Sequence, residues 1–228
     1  MLASTCSYLK RRDHTYALAV TRPRRADWVN TRERILEAAQ ALFATQGYRR
    51  TGTAQIAEAA GIVESTLFRH FNTKAQLFEQ AVIAPLRTSV DDLTARRRQA
   101  DPDVSNEEAA YNFFDEILTT LRRDSGLLIA ALAALTFESE TDEFHRLPGA
   151  FSDLLAYMDE VMTTRAAERG FAVDPQIGSR ALLAVALGCT LGEQLLFDAT
   201  NRPSHEHLAR ELAKITAFGV PGRPLTSA

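Results

Sequence analysis

Four side chains within six positions, Glu64, Ser65, Phe68 and Arg69, set a carboxylate, a hydroxyl, an aromatic ring and a guanidinium on one short helical segment. Ile62, Leu67 and Phe71 recur at helical spacing on its other side, so that side is buried and the four polar or aromatic groups face outward. These are the groups that read base edges in a duplex, by hydrogen bonds and by contact with the thymine methyl. A second short helix carrying Ile56 and Ala57 precedes them. The small pair Ala60-Gly61 makes the corner between the two, and Gly61 is able to take the positive φ that such a corner demands. Two short helices joined in this way are a common means of reaching the DNA major groove.

The supporting elements are readable on either side. Asn30 with Glu33 forms a capping box, and Ile35, Ala38, Ala39, Leu42 and Phe43 then mark one helical face that Gly47 terminates. Thr73 with Gln76 opens another helix bearing Leu77, Phe78 and Val82. Pro85 bends it, or interrupts it before a continuation to about residue 98. Asp101-Pro-Asp-Val is a loop, after which Ser105 and Glu108 cap a helix with Ala110, Phe113, Phe114, Ile117, Leu118 and Leu121 on one face. The segment from Gly126 to Leu135 is apolar on every side and reads as a buried helix. Phe151, Leu154, Leu155, Met158, Val161 and Met162 mark the next, ending near Gly170. Asp174-Pro175 launches a helix to about Ala199, and Ser204 launches the last, with Leu208, Leu212 and Ile215 inward. Strand signals are nearly absent, so the fold class is all-α.

Residues 30–78 resemble the N-terminal domain of the TetR/AcrR family of bacterial transcriptional regulators. The resemblance rests on Ile35-Leu36, Ala38-Ala39, Leu42-Phe43, Gly47-Tyr48, Ile56-Ala57, Ala60-Gly61, Thr66-Leu67-Phe68, His70-Phe71, and Lys74 with Leu77. It implies phosphate contacts from Thr53 and Lys74, the latter at a helix N-terminus where the dipole helps. It also implies that Thr66 and His70 approach the DNA backbone, and that Ala54, Glu64, Ser65 and Phe68 face bases. Phe68 would touch a thymine methyl and Glu64 would accept from cytosine N4. For His70, packing at the helix end is the competing reading. Three positions depart from the family pattern. Phe68 stands where tyrosine is usual, Val63 where a capping serine is usual, and Gly52 where threonine or serine is usual. Losing a side-chain cap costs about 0.5–2 kcal/mol.

Composition restricts the rest. The 228 residues are 46% hydrophobic and 24% charged, enough for a core and incompatible with disorder throughout. Residues 1–80 hold 12 Lys and Arg against 7 Asp and Glu, whereas residues 81–228 hold 14 against 22. A basic end on an acidic body fits a nucleic-acid-binding head joined to a part that avoids phosphate. Cys6 and Cys189 match neither a disulfide framework nor a zinc site, and a cytoplasmic location is expected. The uncharged run Ala181 to Gly192 falls short of the ~18 residues of a membrane span. There is no phosphate-binding glycine loop, no nucleophile elbow and no HExxH, so no enzyme, cofactor or metal site is expected. His205 and His207 diverge on a helix, and Asp142, Glu143 and His145 read as a solvated corner.

The expected organisation is a basic arm over residues 1–29, a DNA-binding unit over 30–76, a helical regulatory and dimerisation body over 77–218, and a flexible tail over 219–228. The arm either reaches the minor groove or has no role, with Val20 as an alternative start. The family resemblance implies a homodimer through helices at about 176–199 and 204–218. The small residues Ala181, Ala184, Ala186, Gly188 and Gly192 support close helix approach, in the dimer or inside one subunit. The resemblance also implies an effector pocket. Its candidates are Phe113, Phe114, Leu132 and Leu135, with Phe137, Phe144, Phe151 and Met158, a set suited to an apolar small molecule unless it is plain core. The expected function is a ligand-responsive repressor on a pseudo-palindromic operator. The alternatives are a DNA-binding protein without inducer, architectural or activating, and a helical enzyme or interaction module with an inert head.

Overall fold

The computed structural model describes residues 25–101, 103–137, 148–169 and 174–218. Eleven α-helices run through them, and no strand occurs among the described residues. Helices α1 (Arg25–Arg50), α2 (Thr53–Ala59) and α3 (Glu64–His70) form the head. Helix α4 (Lys74–Phe78) continues through a π-helical turn (Glu79–Ile83) into α5 (Ala84–Arg98). The body comprises α6 (Asn106–Arg123), α7 (Ser125–Phe137), α8 (Ser152–Arg169), α9 (Pro175–Leu191), the short α10 (Glu193–Leu196) and α11 (His205–Phe218). Helix α6 lies against α9 and α11, α7 against α1, and α8 against α5 and α9. No helix of the described residues is long and apolar enough to cross a membrane.

Local chemistry explains several boundaries. Ser105 Oγ accepts from Glu108 N at 3.2 Å, and Asp174 Oδ1 accepts from Gln176 N at 2.9 Å and Ile177 N at 3.2 Å. Both caps stand where the sequence puts them. Thr73 Oγ1 accepts from Gln76 N at 2.9 Å, while Gln76 reaches back to Asn72 N at 2.7 Å. Gly47 adopts φ 75°, and the regular part of α1 ends there. The buried Thr51 then donates to Gly47 O at 2.8 Å, which closes the loose helix end. Pro85 lies in the first turn of α5, and the widened π turn just before it absorbs its ring, so the chain neither stops nor breaks.

Other expectations are corrected. Helix α1 begins by Arg25, so Asn30 lies inside it and residues 25–29 are helix rather than arm. The rest of that arm, the tail over 219–228, and Asp142, Glu143, Phe144 and His145 lie outside the described residues. Helix α7 is not buried all round: Ile129, Leu132 and Phe137 are exposed, because α7 offers only one side to α1. Helix α9 stops at Leu191 instead of reaching Ala199, with Gly192 as the break before α10. Ile215 is half exposed, while Leu208 and Leu212 are buried as expected.

One contiguous apolar core joins head to body. Ile35, Ala39 and Phe43, successive turns of α1, have no exposed surface. The fully buried Phe78 ring meets Phe43 edge-on at 5.0 Å and Tyr48 edge-on at 5.2 Å. In the body, Phe113 and Phe114 contact edge to face at 5.3 Å, and the nearly buried Arg97 bonds Glu116 at 3.2 Å. Truncating Phe78 to Ala is expected to cost about 3–5 kcal/mol, read as a lower urea midpoint with an unchanged slope.

Candidate nucleic-acid interface

The small helix α3 has two unlike sides. Leu67 and Phe71 have no exposure, whereas Glu64, Ser65, Phe68 and Arg69 are exposed. Phe68 retains 44% of its surface, a high value for a phenylalanine. Ala54 on α2 is exposed beside them, and Thr53, Thr66, His70 and Lys74 are half-buried. All nine sequence-derived candidates therefore fall on α2, α3 and the start of α4. The structure brings them to one end of the head.

The corner that aims α3 is built from backbone. Gly61 takes φ 66°, as the sequence requires, and Ile62 N donates to Ala57 O at 2.9 Å. Arg34 of α1 also donates to the carbonyls of Ala60 and, at 3.3 Å, of Gly61. This guanidinium ties the long helix to the corner, and sequence reasoning missed it. Spacing along α1 places residue 34 on its face, but nothing local reveals a carbonyl partner 26 positions away.

The weak caps are visible. Val63, the residue before α3, is extended (φ −86°, ψ 149°) and supplies no side-chain acceptor. Gly52 before α2 also lacks one, but its N–H donates to Gln55 Oε1 at 2.9 Å. Thr53 Oγ1 donates to Glu64 Oε1 at 2.5 Å, so a candidate phosphate contact and a candidate base contact satisfy each other in the free protein.

Around the end of α3 lies an aromatic and basic cluster. His70 stacks on Trp28 with centroids 3.7 Å apart, and Arg69 lies 5.6 Å over the Trp28 ring. Burial first, then the Arg69 and Arg32 guanidinium groups, hold the His70 imidazole below the ordinary histidine value. Its Nδ1 is buried and without a hydrogen-bond partner. Lys74 Nζ sits 4.3 Å from the centre of the Tyr48 ring, a cation–π contact at the first position of α4. Concavities of about 190 and 300 Å3 lie between α1 and the segment around Gln80 and Pro85, and between α1 and the α6–α7 corner. None of the candidate ligand contacts lines either one, and Leu132 and Phe137 stand on the surface.

Comparison with known proteins decides the family. The sequence pattern of the bacterial regulatory proteins of the tetR family matches residues 35–81. The nucleoid occlusion factor SlmA of Photobacterium profundum is 32% identical over 163 residues, which cover 70% of this chain and 81% of that protein. The chain belongs to the tetR family of bacterial regulatory proteins.

Among solved structures, NalD, the secondary repressor of the MexAB-OprM multidrug efflux pump in Pseudomonas aeruginosa, matches with a TM-score of 0.61 and 24% identity. That match covers 85% of this chain and 97% of NalD. FadR of Bacillus subtilis, solved with stearoyl-CoA, matches with a TM-score of 0.61 and 13% identity, over 82% and 98% of the two chains. The tetR-family protein described here is a DNA-binding transcriptional regulator whose described residues form helices without strands. In this tetR-family head, Val63→Ser is expected to restore the missing cap and add about 0.5–2 kcal/mol. Chemical denaturation reads the gain, and slowed amide exchange in α3 locates it.

Proposed function

We propose that this protein is a homodimeric, ligand-responsive repressor that binds a pseudo-palindromic operator and leaves it when an apolar small molecule occupies the body. The observation that carries the reading is the two-sided α3, anchored by Leu67 and Phe71 and presenting Glu64, Ser65, Phe68 and Arg69 to the exterior. In this reading Ala54, Glu64, Ser65, Phe68 and Arg69 face base edges, and Thr53, Thr66, His70 and Lys74 hold phosphates. The DNA-binding unit spans residues 30–76, with α1 extending the head back to Arg25, and the body spans 77–218.

A dimer supplies the two-fold symmetry that paired half-sites require. Support for the surface comes from α9 and α11, where Ala181, Ala184, Val185 and Gly188 are exposed and Ile177 and Ile215 retain 66% and 48% of their surface. Ala186 is fully buried within the subunit, so the small residues serve both kinds of packing. Phe113, Phe114, Leu132, Leu135, Phe137, Phe144, Phe151 and Met158 are the effector contacts in this reading. Of these, Phe113, Phe114, Leu135, Phe151 and Met158 pack in or against the core, so a ligand has to part them to enter. FadR, solved with stearoyl-CoA, is a precedent for a long apolar chain among proteins of this fold.

A second reading is a DNA-bound regulator that takes no inducer. It is the reading in which this chain would share the nucleoid-occlusion role that the SlmA name records, a similarity that extends over 70% of the chain and so well past the head. A thermal-shift screen of apolar molecules separates the two readings, because a ligand bound only to the folded state raises the melting temperature.

Selection of bound genomic fragments by the purified protein tests the common part. Recovery of inverted half-sites about one helical turn apart is expected. Lys74→Ala is expected to weaken binding to every sequence and reduce the salt slope by about one per protomer. Ser65→Ala and Phe68→Ala should instead change which fragments win. A wild-type protein that retains no fragment at low ionic strength overturns the assignment.

A further inference from the structure

Trp28 lies outside the motif that identifies the head, yet it packs against the recognition helix. It occupies the first turns of α1, and its ring stacks on His70 at 3.7 Å with the planes 28° apart. Arg69 places its guanidinium 5.6 Å from the same ring, and Arg32, one turn further along α1, sits 5.4 Å over Phe71. Trp28, Arg32, Ile35 and Ala39 follow one another at spacings of four, three and four, so one face of α1 runs from the core to the end of α3. Trp28 itself is 36% exposed, which leaves part of its indole at the surface beside the proposed DNA contacts.

The consequence concerns His70. Its Nδ1 is sealed from solvent with no acceptor in reach, so a proton there would be a buried, unpaired donor. Nε2 is the nitrogen left with which the ring can bond an outside partner, and a phosphate, which only accepts, selects the neutral tautomer that carries its proton there. The groups charged toward it are Arg69 on α3 and Arg32 on α1, both cationic, and they oppose a second proton. We propose that Trp28 is a positioning residue for DNA binding: its stacked indole fixes the His70 ring so that Nε2–H is held ready as a neutral donor to a backbone phosphate. The inference rests on the DNA-binding reading above and adds an α1 residue to it. A neutral donor fixes register without adding to counterion release, whereas Lys74 contributes charge.

Trp28 is the chain's single tryptophan, so its fluorescence reports this cluster alone. The test uses full-length protein and an operator fragment selected as described above, with Trp28→Ala, Trp28→Phe, His70→Ala and the Trp28→Ala/His70→Ala double variant. Binding is measured by fluorescence anisotropy of labelled DNA across salt concentrations, and the titration of His70 by NMR in the free protein. Trp28→Ala and His70→Ala are each expected to lower affinity about tenfold, the range of one stacked aromatic pair and one phosphate contact. The double variant should lose no more than either single one, Trp28→Phe should stay within about threefold of wild type, and salt slopes should not change. In Trp28→Ala the His70 titration should move up toward ordinary histidine, and wild-type Trp28 emission should change on adding DNA. Wild-type affinity in Trp28→Ala, or losses that multiply in the double variant, overturns the inference while leaving the regulator assignment intact. An equal loss in Trp28→Ala with an unmoved His70 titration also overturns it, since α1 would then act merely as scaffold. Failure of the wild type to bind any fragment removes the underlying reading instead, and the inference with it.

Discussion

The Phe78 ring between Phe43 and Tyr48 is the contact on which the geometry of the head depends. It follows α3 by only a few residues and is fully buried in a core that extends without interruption into the body. The recognition helix is therefore tied to α1 and, through the turn at Glu79–Ile83, to α5. Because α5 packs on α6 and α8, displacement of those helices has a continuous helical route to the head. Such a route transmits a signal only where a ligand binds two arrangements with different affinity. The π turn lies on that route, between α4 and α5, and turns of this kind occur frequently at functional sites.

Magnitudes explain why α3 holds its place without a side-chain cap. The missing cap at Val63 forfeits about 1 kcal/mol. Full burial of Leu67 and Phe71 contributes about 1.5–3 kcal/mol each. The apolar back of the helix outweighs the fraying of its first turn. Arg34 donates to the corner carbonyls just past the C-terminal end of α2, where a helix otherwise leaves acceptors unpaired, and so adds a constraint on the turn that leads into α3. The head is thus oriented by packing and tuned by polar contacts, and its outward residues are free to vary with little effect on the fold.

How much of this was legible in the sequence follows from what each signal encodes. Gly61, Ser105 and Asp174-Pro175 were legible because turns and caps are settled within a few residues of chain. The start of α1 was not, because the Asn30/Glu33 box imitates a helix start inside a longer helix. The competing signal was the Trp28–Arg32–Ile35 spacing. Helical periodicity says which residues share a face and not what covers that face. That is why Ile129, Leu132 and Ile215 read as buried yet lie at the surface. The exposure of Glu64, Ser65, Phe68 and Arg69 was legible, since an apolar back implies a free front. The Thr53–Glu64 bond, the Arg34 tie and the Trp28 stack depend on partners distant in sequence and were invisible.

The Thr53–Glu64 bond bears on how a carboxylate can sit at a DNA surface at all. Duplex DNA is a dense row of negative charges, and an unpaired Glu64 would be repelled by them. The Thr53 hydroxyl at 2.5 Å gives the carboxylate a donor in the free protein and steadies α2 against α3 at their exposed edge. In the proposed complex this bond competes with a phosphate for Thr53 and with a base donor for Glu64. A base edge that presents only acceptors offers nothing in exchange and adds repulsion, while an edge with an exocyclic amine replaces the lost donor. In the proposed complex Glu64 would therefore act more by penalising wrong bases than by adding affinity for the right one, which is how a charged group of the wrong sign for DNA serves specificity.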